Sequence, residues 1–538
     1  MARKRKSKIT ANEESRKVEG TESAKKKSAG VQEDPKYNEK FDKDDRCAVR
    51  KAAENDPAWY AANEQLLVDG FNFPVSNMLG LSIRLDNPEE QPSYGANTRT
   101  TTYVPGIYSL DIIPVPGVSQ DASSPINYAS QKLYSFIRHA NAGSTNYNPP
   151  DIMMYILAMD NVYCLWNFLA RLYGCLNTYN QYNRYMPRYL VEMMNVDFDD
   201  MLKHQSDLRA LINMFSSSLS TMSVPSVLPY ITRHSWLFSN IYCDGQSLKS
   251  QIYLYNPHTL YKWVEQTSDP TELPYLEPVA ISSHSAKFKF DGIAGLVNEF
   301  LNPIISSEDF GVMSGDILKA FGKDHLITVP LVGENYQAPL NYVPEVLMQI
   351  ENAKQCSGVN GGSTLRITQS NDGYIIFAPT RSYYPAAVVS THMYNFHFDD
   401  VQAKDFAVAT RLNYVWDLRG VTTSDPTMRL ASCGSELFVG TRIGQGNVNG
   451  LTIHGIGSYY TSQDAHVAAW SGTLISSFAH APLTPYYRRY TENNEVKYEY
   501  IGVFNDVENY CILSDDDIMK ANNIALLSEF DVPGVASY

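Results

Sequence analysis

The chain has 538 residues, 44% hydrophobic and 19% charged, and 37 tyrosines enrich its aromatic fraction. That balance supports a buried core and excludes a chain disordered throughout; seven cysteines, an odd number with no Cys-x-x-Cys pair, exclude a disulfide framework and a zinc ribbon. The net charge of −14 hides a reversal: residues 1–50 hold fifteen Lys/Arg against ten Asp/Glu, while residues 51–538 hold 29 against 48, so a segment at +5 precedes a body at −19.

The basic residues of the first segment fall into three clusters: Arg3, Lys4, Arg5, Lys6 and Lys8; Arg16 and Lys17; Lys25, Lys26 and Lys27. Such blocks repel themselves and offer little apolar surface to bury, so residues 1–55 are expected to be a disordered interaction arm. A cationic arm on an anionic body points to a polyanion on one side of the molecule, and nucleic acid is the natural candidate. Lysines on a flexible segment neutralise phosphates without reading bases, so binding would tolerate any sequence and depend steeply on salt. A nuclear localisation signal and an idle extension are the competing readings of Arg3 to Lys6. No apolar run follows the basic start, which argues against a signal peptide.

From 56 to 150 the chain reads as loop-rich, punctuated by Asn87-Pro88, Gln91-Pro92 and Pro114 to Gly117. Met78 to Ile83 and Ile107 to Ile113 read as extended segments lying on another surface, and Tyr128 to His139 as a helix. Pro149-Pro150-Asp151 starts a long helix, with Asp as its cap and Gly174 as its stop. Asp160, Asn161, Asn167 and Arg171 interrupt its apolar run, so it is expected to be a core helix and not a membrane span. A second helix begins near Pro187, and a third runs from Asp197 through Leu219.

After Asp244-Gly245 the pattern changes. Gln251 to Tyr255 reads as a strand, Pro257 to Glu265 as a short helix, Ile293 to Ile305 as an amphipathic stretch and Pro344 to Ala353 as a helix. Ser370-Asn371-Asp372-Gly373 marks a hairpin between 364–368 and 374–378. Strands are expected at 386–390, 411–417, 437–443 and 451–456, a β-rich region able to stand as a protruding module. Val496 to Phe504 and Tyr510 to Leu513 read as a hairpin. Ser514 before Asp515, Asp516 and Asp517 starts a last helix reaching Phe530.

Catalytic signatures are missing. There is no His-Glu-x-x-His and no Walker A loop. Gly444-Gln-Gly446 and Gly455-Ile-Gly457 do not complete a dinucleotide fingerprint, and Gly311 to Gly315 lacks the spacing of a nucleophile elbow. His392, His397, Asp399 and Asp400 cluster in sequence, but a metal would need ligands from elsewhere, so a hydrogen-bonded surface is expected. Arg233, in Thr232 to Trp236, reads as part of a polar knot, with phosphate contact as the weaker alternative. No cofactor, metal ligand or catalytic residue is assigned.

The strings YILAMDNVYCLWNFLARLYG (155–174), NRYMPRYLVEMMNVDFDDMLKH (183–204), LPYITRHSW (228–236) and NNIALLSEFDVP (522–533) resemble the capsid proteins of picobirnaviruses. The likeness is firmest over 150–265 and looser towards the C-terminus; in residues 1–55 only the basic character matches. The resemblance implies coat-protein dimers closed into an icosahedral shell around double-stranded RNA, a helix-rich shell domain with a projecting domain above it, and the arm inside against RNA. It also implies self-cleavage of an N-terminal peptide in some members; Asn55-Asp56-Pro57 lies at such a boundary, but no scissile bond is assigned.

The expected fold is α+β: a basic disordered arm at 1–55, a helix-rich shell domain at 56–270, a mixed, β-rich projecting domain at 271–470, and a return to the shell domain at 471–538. The expected function is a structural, non-enzymatic capsid protein whose partners are its own copies and viral RNA contacted through Arg3 to Lys27, with a polymerase supplied by another protein. It would be assembled in the host cytoplasm, a reducing compartment, and reside in the virion. The chain names no receptor. The rivals are an RNA-associated enzyme or scaffold with a basic tail, and a receptor- or glycan-binding surface protein.

Overall fold

The computed structural model describes residues 63–70, 82–84 and 101–103 and most of 105–531, leaving out internal stretches of which the longest are 179–185, 266–272, 383–392 and 463–477. The chain divides into two compact units, Met1–Val75 and Ser76–Tyr538. Of the first, the described part is helix α1 (Glu64–Gly70), which buries none of its residues.

The second unit is α+β, as expected. It opens with β1 (Ser82–Arg84) paired antiparallel to β2 (Thr101–Tyr103). Next is β3 (Pro105–Pro114), whose side chains from Ile107 to Ile113 are buried. This run is extended, as its composition suggests, but it lies inside the central sheet and not on another surface. Helix α2 (Pro125–Ala140) follows.

Helix α3 (Pro149–Leu176) is the axis of the core. Asn148 is its N-cap, and Asp151 acts from inside the first turn: its carboxylate accepts the Asn148 N–H at 2.7 Å. Gly174 does not stop the helix. A Cβ there would stand 2.5 Å from the Ala338 backbone nitrogen and 2.8 Å from the Tyr336 ring, so glycine is required by close packing and not by a terminus. The helix is apolar enough to cross a membrane, but its most apolar window is wholly buried in protein. Its polar residues are bonded internally: Asn161 accepts the Tyr261 N–H and donates to Leu157, Asn167 donates to Tyr163, and Arg171 donates to Asn256 and Asn240.

The chain continues with α4 (Met186–Met193), α5 (Phe198–Lys203), α6 (Gln205–Leu219) and α7 (Pro229–Ser239). The single helix expected from Asp197 to Leu219 breaks at His204, which closes α5 and opens α6. Strands β4 (Ile241–Cys243), β5 (Ile252–Pro257), β6 (Thr259–Val264) and β7 (Tyr275–Ala280) come next. The helix expected at Pro257 to Glu265 is strand β6, paired antiparallel with β7. Its Thr, Tyr, Trp and Val favour a pleated surface, and a short apolar run alone does not reveal its period.

Helices α8 (Phe290–Ile305) and α9 (Glu308–Phe321), strand β8 (Leu340–Asn341) and helix α10 (Pro344–Glu351) follow. The expected hairpin is present but short: β9 (Thr368–Gln369) pairs with β10 (Ile375–Ile376), with Gly373 at φ +85°. Beyond β11 (Thr380–Ser382), β12 (Met393–Phe396) and helix α11 (Ala403–Ala409) come β13 (Tyr414–Asp417), β14 (Thr427–Cys433), β15 (Glu436–Asn447) and β16 (Gly450–Ile456). The strand expected at 386–390 lies outside the described residues. Beyond β17 (Thr461–Ser462), strand β18 (Thr484–Glu492) pairs with β19 (Glu495–Phe504), and β20 (Asn509–Ile512) pairs with β12, so the expected hairpin between the last two segments is not formed. Helix α12 (Asp515–Glu529) starts as expected, with Ser514 and Asp517 capping each other.

The central sheet has six strands in the order β16-β15-β3-β5-β4-β8. It takes strands from both sides of position 271: β15 and β16, from the region assigned to a projecting domain, extend the sheet beside β3, with Arg442 of β15 held bidentate by Asp111 of β3.

Candidate functional site

The ten cationic residues singled out in the arm (Arg3, Lys4, Arg5, Lys6, Lys8, Arg16, Lys17, Lys25, Lys26 and Lys27) lie outside the described residues. Three features of the described part bear on function.

The first is a buried ionic network. Arg233 of α7 donates to Glu436 of β15 and, at 3.2 Å, to Gln349 of α10. Arg411 donates to Ser435 at 2.8 Å, to Glu436 at 3.2 Å and to Glu529 of α12. On α7, His234 meets Asp160 of α3 at 2.7 Å, and Tyr230 stacks on Phe530. Burial works against the Glu436 carboxylate, but Arg233 and Arg411 outweigh it and hold its pKa below the ordinary value. Burial raises that of Glu529. Arg233 is therefore part of the polar knot, with two of its nitrogens donating to protein acceptors. The network ties α12 and β15 to the helical core across wide separations in sequence, so it is invisible to local pattern.

The second is exposed apolar surface. On β20, Tyr510 is 61% and Ile512 73% exposed, and both point to the same side of the strand. On α12, Ile524 and Leu527 are exposed three residues apart. Met214 and Leu331, each 68% exposed, adjoin Asn213 and Val332, which exchange two hydrogen bonds. Single exposed hydrophobics are ordinary; paired ones on regular elements mark contact surfaces.

The third is around His397. His392 lies outside the described residues, and Asp399 and Asp400 are exposed beyond it. The partners of His397 come from elsewhere. Its Nε2 is 2.9 Å from Glu351 Oε2, and its Nδ1 is 2.9 Å from Glu508 Oε2. Glu351 is buried, and its other oxygen accepts from Asn395 at 2.6 Å. His480, whose backbone N–H donates to the Tyr253 hydroxyl, places Nδ1 3.5 Å from Glu351 Oε2. Burial pulls the His397 pKa down, but Glu508 and Glu351 outweigh it and hold it above the ordinary value. The cluster borders a cleft of about 310 Å³ lined by Tyr342, Met348, Phe396 and Phe398. Sequence reasoning reached His397 alone; Glu351, His480 and Glu508 carry no linear signal, because three separate segments supply them.

Comparison with known proteins gives a consistent result. The family model described as the picobirnavirus capsid protein matches residues 59–486. The capsid protein precursor of human picobirnavirus is 27% identical, over 94% of this chain and 98% of its own length. The crystal structure of the picobirnavirus capsid shares the fold with a TM-score of 0.76 at 20% identity, covering 90% of this chain and 99% of that one.

Proposed function

The chain belongs to the picobirnavirus capsid protein family, and from that premise we propose that its copies dimerise and close into an icosahedral shell around double-stranded RNA, with the basic arm facing inward. As a capsid protein it is a structural component of the virion and not an enzyme. Assembly takes place in the host cytoplasm, and the polymerase is a separate chain.

The observation that carries the reading is the charge polarity, +5 over residues 1–50 against −19 over the body, in a chain whose family match spans 59–486. Enclosed RNA is a dense polyanion, and cationic arms release its counterions on contact. An anionic outer surface limits adhesion to host nucleic acid. The paired exposed side chains Tyr510/Ile512, Ile524/Leu527 and Met214/Leu331 supply apolar surface for contact with other copies. The three-part division at 271 and 471 remains part of this proposal as a division between shell and projection.

Size-exclusion chromatography and negative-stain microscopy of the expressed protein test the shell: closed particles support it, and small oligomers alone overturn it. Deleting residues 1–45 tests the arm. Shells should still form, with a lower ratio of nucleic-acid to protein absorbance; an unchanged ratio removes the arm from packaging.

A further inference from the structure

We propose that Glu351, His397 and His480 form a divalent-cation site suited to Zn²⁺, with its fourth position open to the adjoining cleft. Each of the three residues offers one ligand atom within 4.8 Å of the other two, and Glu351 Oε2 faces both His397 Nε2 and His480 Nδ1. Zinc bonds to nitrogen and oxygen are about 2.0–2.2 Å, so neighbouring ligand atoms of a tetrahedral site stand about 3.3–3.6 Å apart. The 3.5 Å from Glu351 Oε2 to His480 Nδ1 matches that edge and the 2.9 Å to His397 Nε2 falls short of it, a difference that side-chain adjustment can take up.

The groups behind the ligands have the form a metal site requires. A ligating histidine normally gives its other N–H to a carboxylate, which sets the tautomer and the ring plane. Glu508 stands 2.9 Å from His397 Nδ1 in that role. Asn395 donates to the other oxygen of Glu351, so Oε2 is the one that faces the two imidazoles. Asn395 also accepts the backbone N–H groups of Glu508 and Asn509, so one side chain holds the Glu351 carboxylate and the backbone that carries Glu508. His480 Nδ1 is buried and makes no hydrogen bond, an orphaned atom aimed at the carboxylate that a cation would satisfy.

Two histidines and a carboxylate are the donor set zinc prefers when one position is left for water. Access comes from the cleft, which His397 and His480 line, with a side-chain exposure of 36% at His397. The other compatible cluster among the described residues, Asp160, Cys164 and His234, differs in kind: all three are buried, and burial holds the Cys164 thiol well above its ordinary pKa, so it stays protonated and a poor ligand. A bound cation would cross-link α10, the end of β12 and the segment carrying His480, joining parts of the chain that share no sheet.

The test uses the full-length protein, stripped with EDTA, desalted and titrated with Zn²⁺ alone, with bound metal counted by mass spectrometry. One zinc per chain is expected. His480→Ala, which leaves no new buried charge, should weaken binding at least tenfold, and Glu508→Gln by about tenfold to a hundredfold. His204→Ala, at an exposed histidine paired with Asp207, should bind like the wild type. Co²⁺ in place of zinc should give the visible absorption of a four-coordinate nitrogen–oxygen site, lost in His480→Ala. A wild type without stoichiometric zinc, or a His480→Ala variant that binds as His204→Ala does, overturns the proposal.

Discussion

Asp160 Oδ2 and His234 Nδ1 stand 2.7 Å apart, 74 residues apart in sequence, with both side chains sealed from solvent at the centre of the molecule. Burial raises the pKa of Asp160 above 3.8. Burial pulls that of His234 down, but Asp160 and Glu436 outweigh it and hold it above 6.5. The pair, as a coupled unit, keeps its protons more firmly in the fold than in the unfolded chain. The native state therefore binds more protons, and the His234 contribution, complete below 6.5, is lost as pH rises through its folded value. Urea midpoints should fall as pH rises above 6.5, and His234→Gln should flatten that slope. A midpoint that climbs over this window contradicts the assignment.

Arg411 stands between Glu436 and Glu529, so its removal takes away the cation that meets the buried Glu529 directly. Arg411→Met should cost about 3–5 kcal/mol by chemical denaturation. Adding Glu529→Gln should recover part of the loss, because the stranded charge is gone. If the double variant is less stable than the single one, the network is not the source of the effect.

Gly174 and Gly295 are both helical glycines with opposite surroundings. A Cβ at Gly174 meets backbone at 2.5 Å, whereas one at Gly295 meets nothing within 4 Å. Gly174→Ala should destabilise by about 1–3 kcal/mol or more through forced displacement of 336–338. Gly295→Ala should stabilise by about 0.5–1 kcal/mol through helix propensity. Thermal melts of the two variants side by side check both signs.

Ile512 is 73% exposed on β20, which in the described residues pairs on one side only, with β12. Ile512→Glu should leave unfolding free energy within about 0.5 kcal/mol of wild type. It should also lower particle yield, since a charge on an edge strand opposes docking. Wild-type yield of particles by sedimentation would remove this strand from the contact between copies.

How much was legible depended on how local the cause was. The α12 start was readable because Ser514 and Asp517 cap each other three residues apart, and the hairpin at 368–376 because Gly373 supplies the positive φ that its turn needs. The stop expected at Gly174 failed because the backbone at Ala338, 164 residues away, set the requirement for glycine. Strand β6 failed because its partner β7, and not its own period, decided its state. His397 was noticed for the wrong neighbours: Asp399 and Asp400 adjoin it in sequence, while Glu351, Glu508 and His480 adjoin it in space.

By itself, the sequence determined the α+β class, the buried long helix, the α12 cap and the charge reversal between arm and body, since each follows from residues a few positions apart or from composition summed over a segment. Only the tertiary structure decided that β15 and β16 complete the sheet beside β3, that Arg233 answers Glu436 instead of a phosphate, and that two histidines and a carboxylate converge beside a cleft. Those outcomes rest on contacts between residues 46 to 331 positions apart, where the chain must first close on itself before any pairing energy is gained, and no local pattern encodes which closure wins.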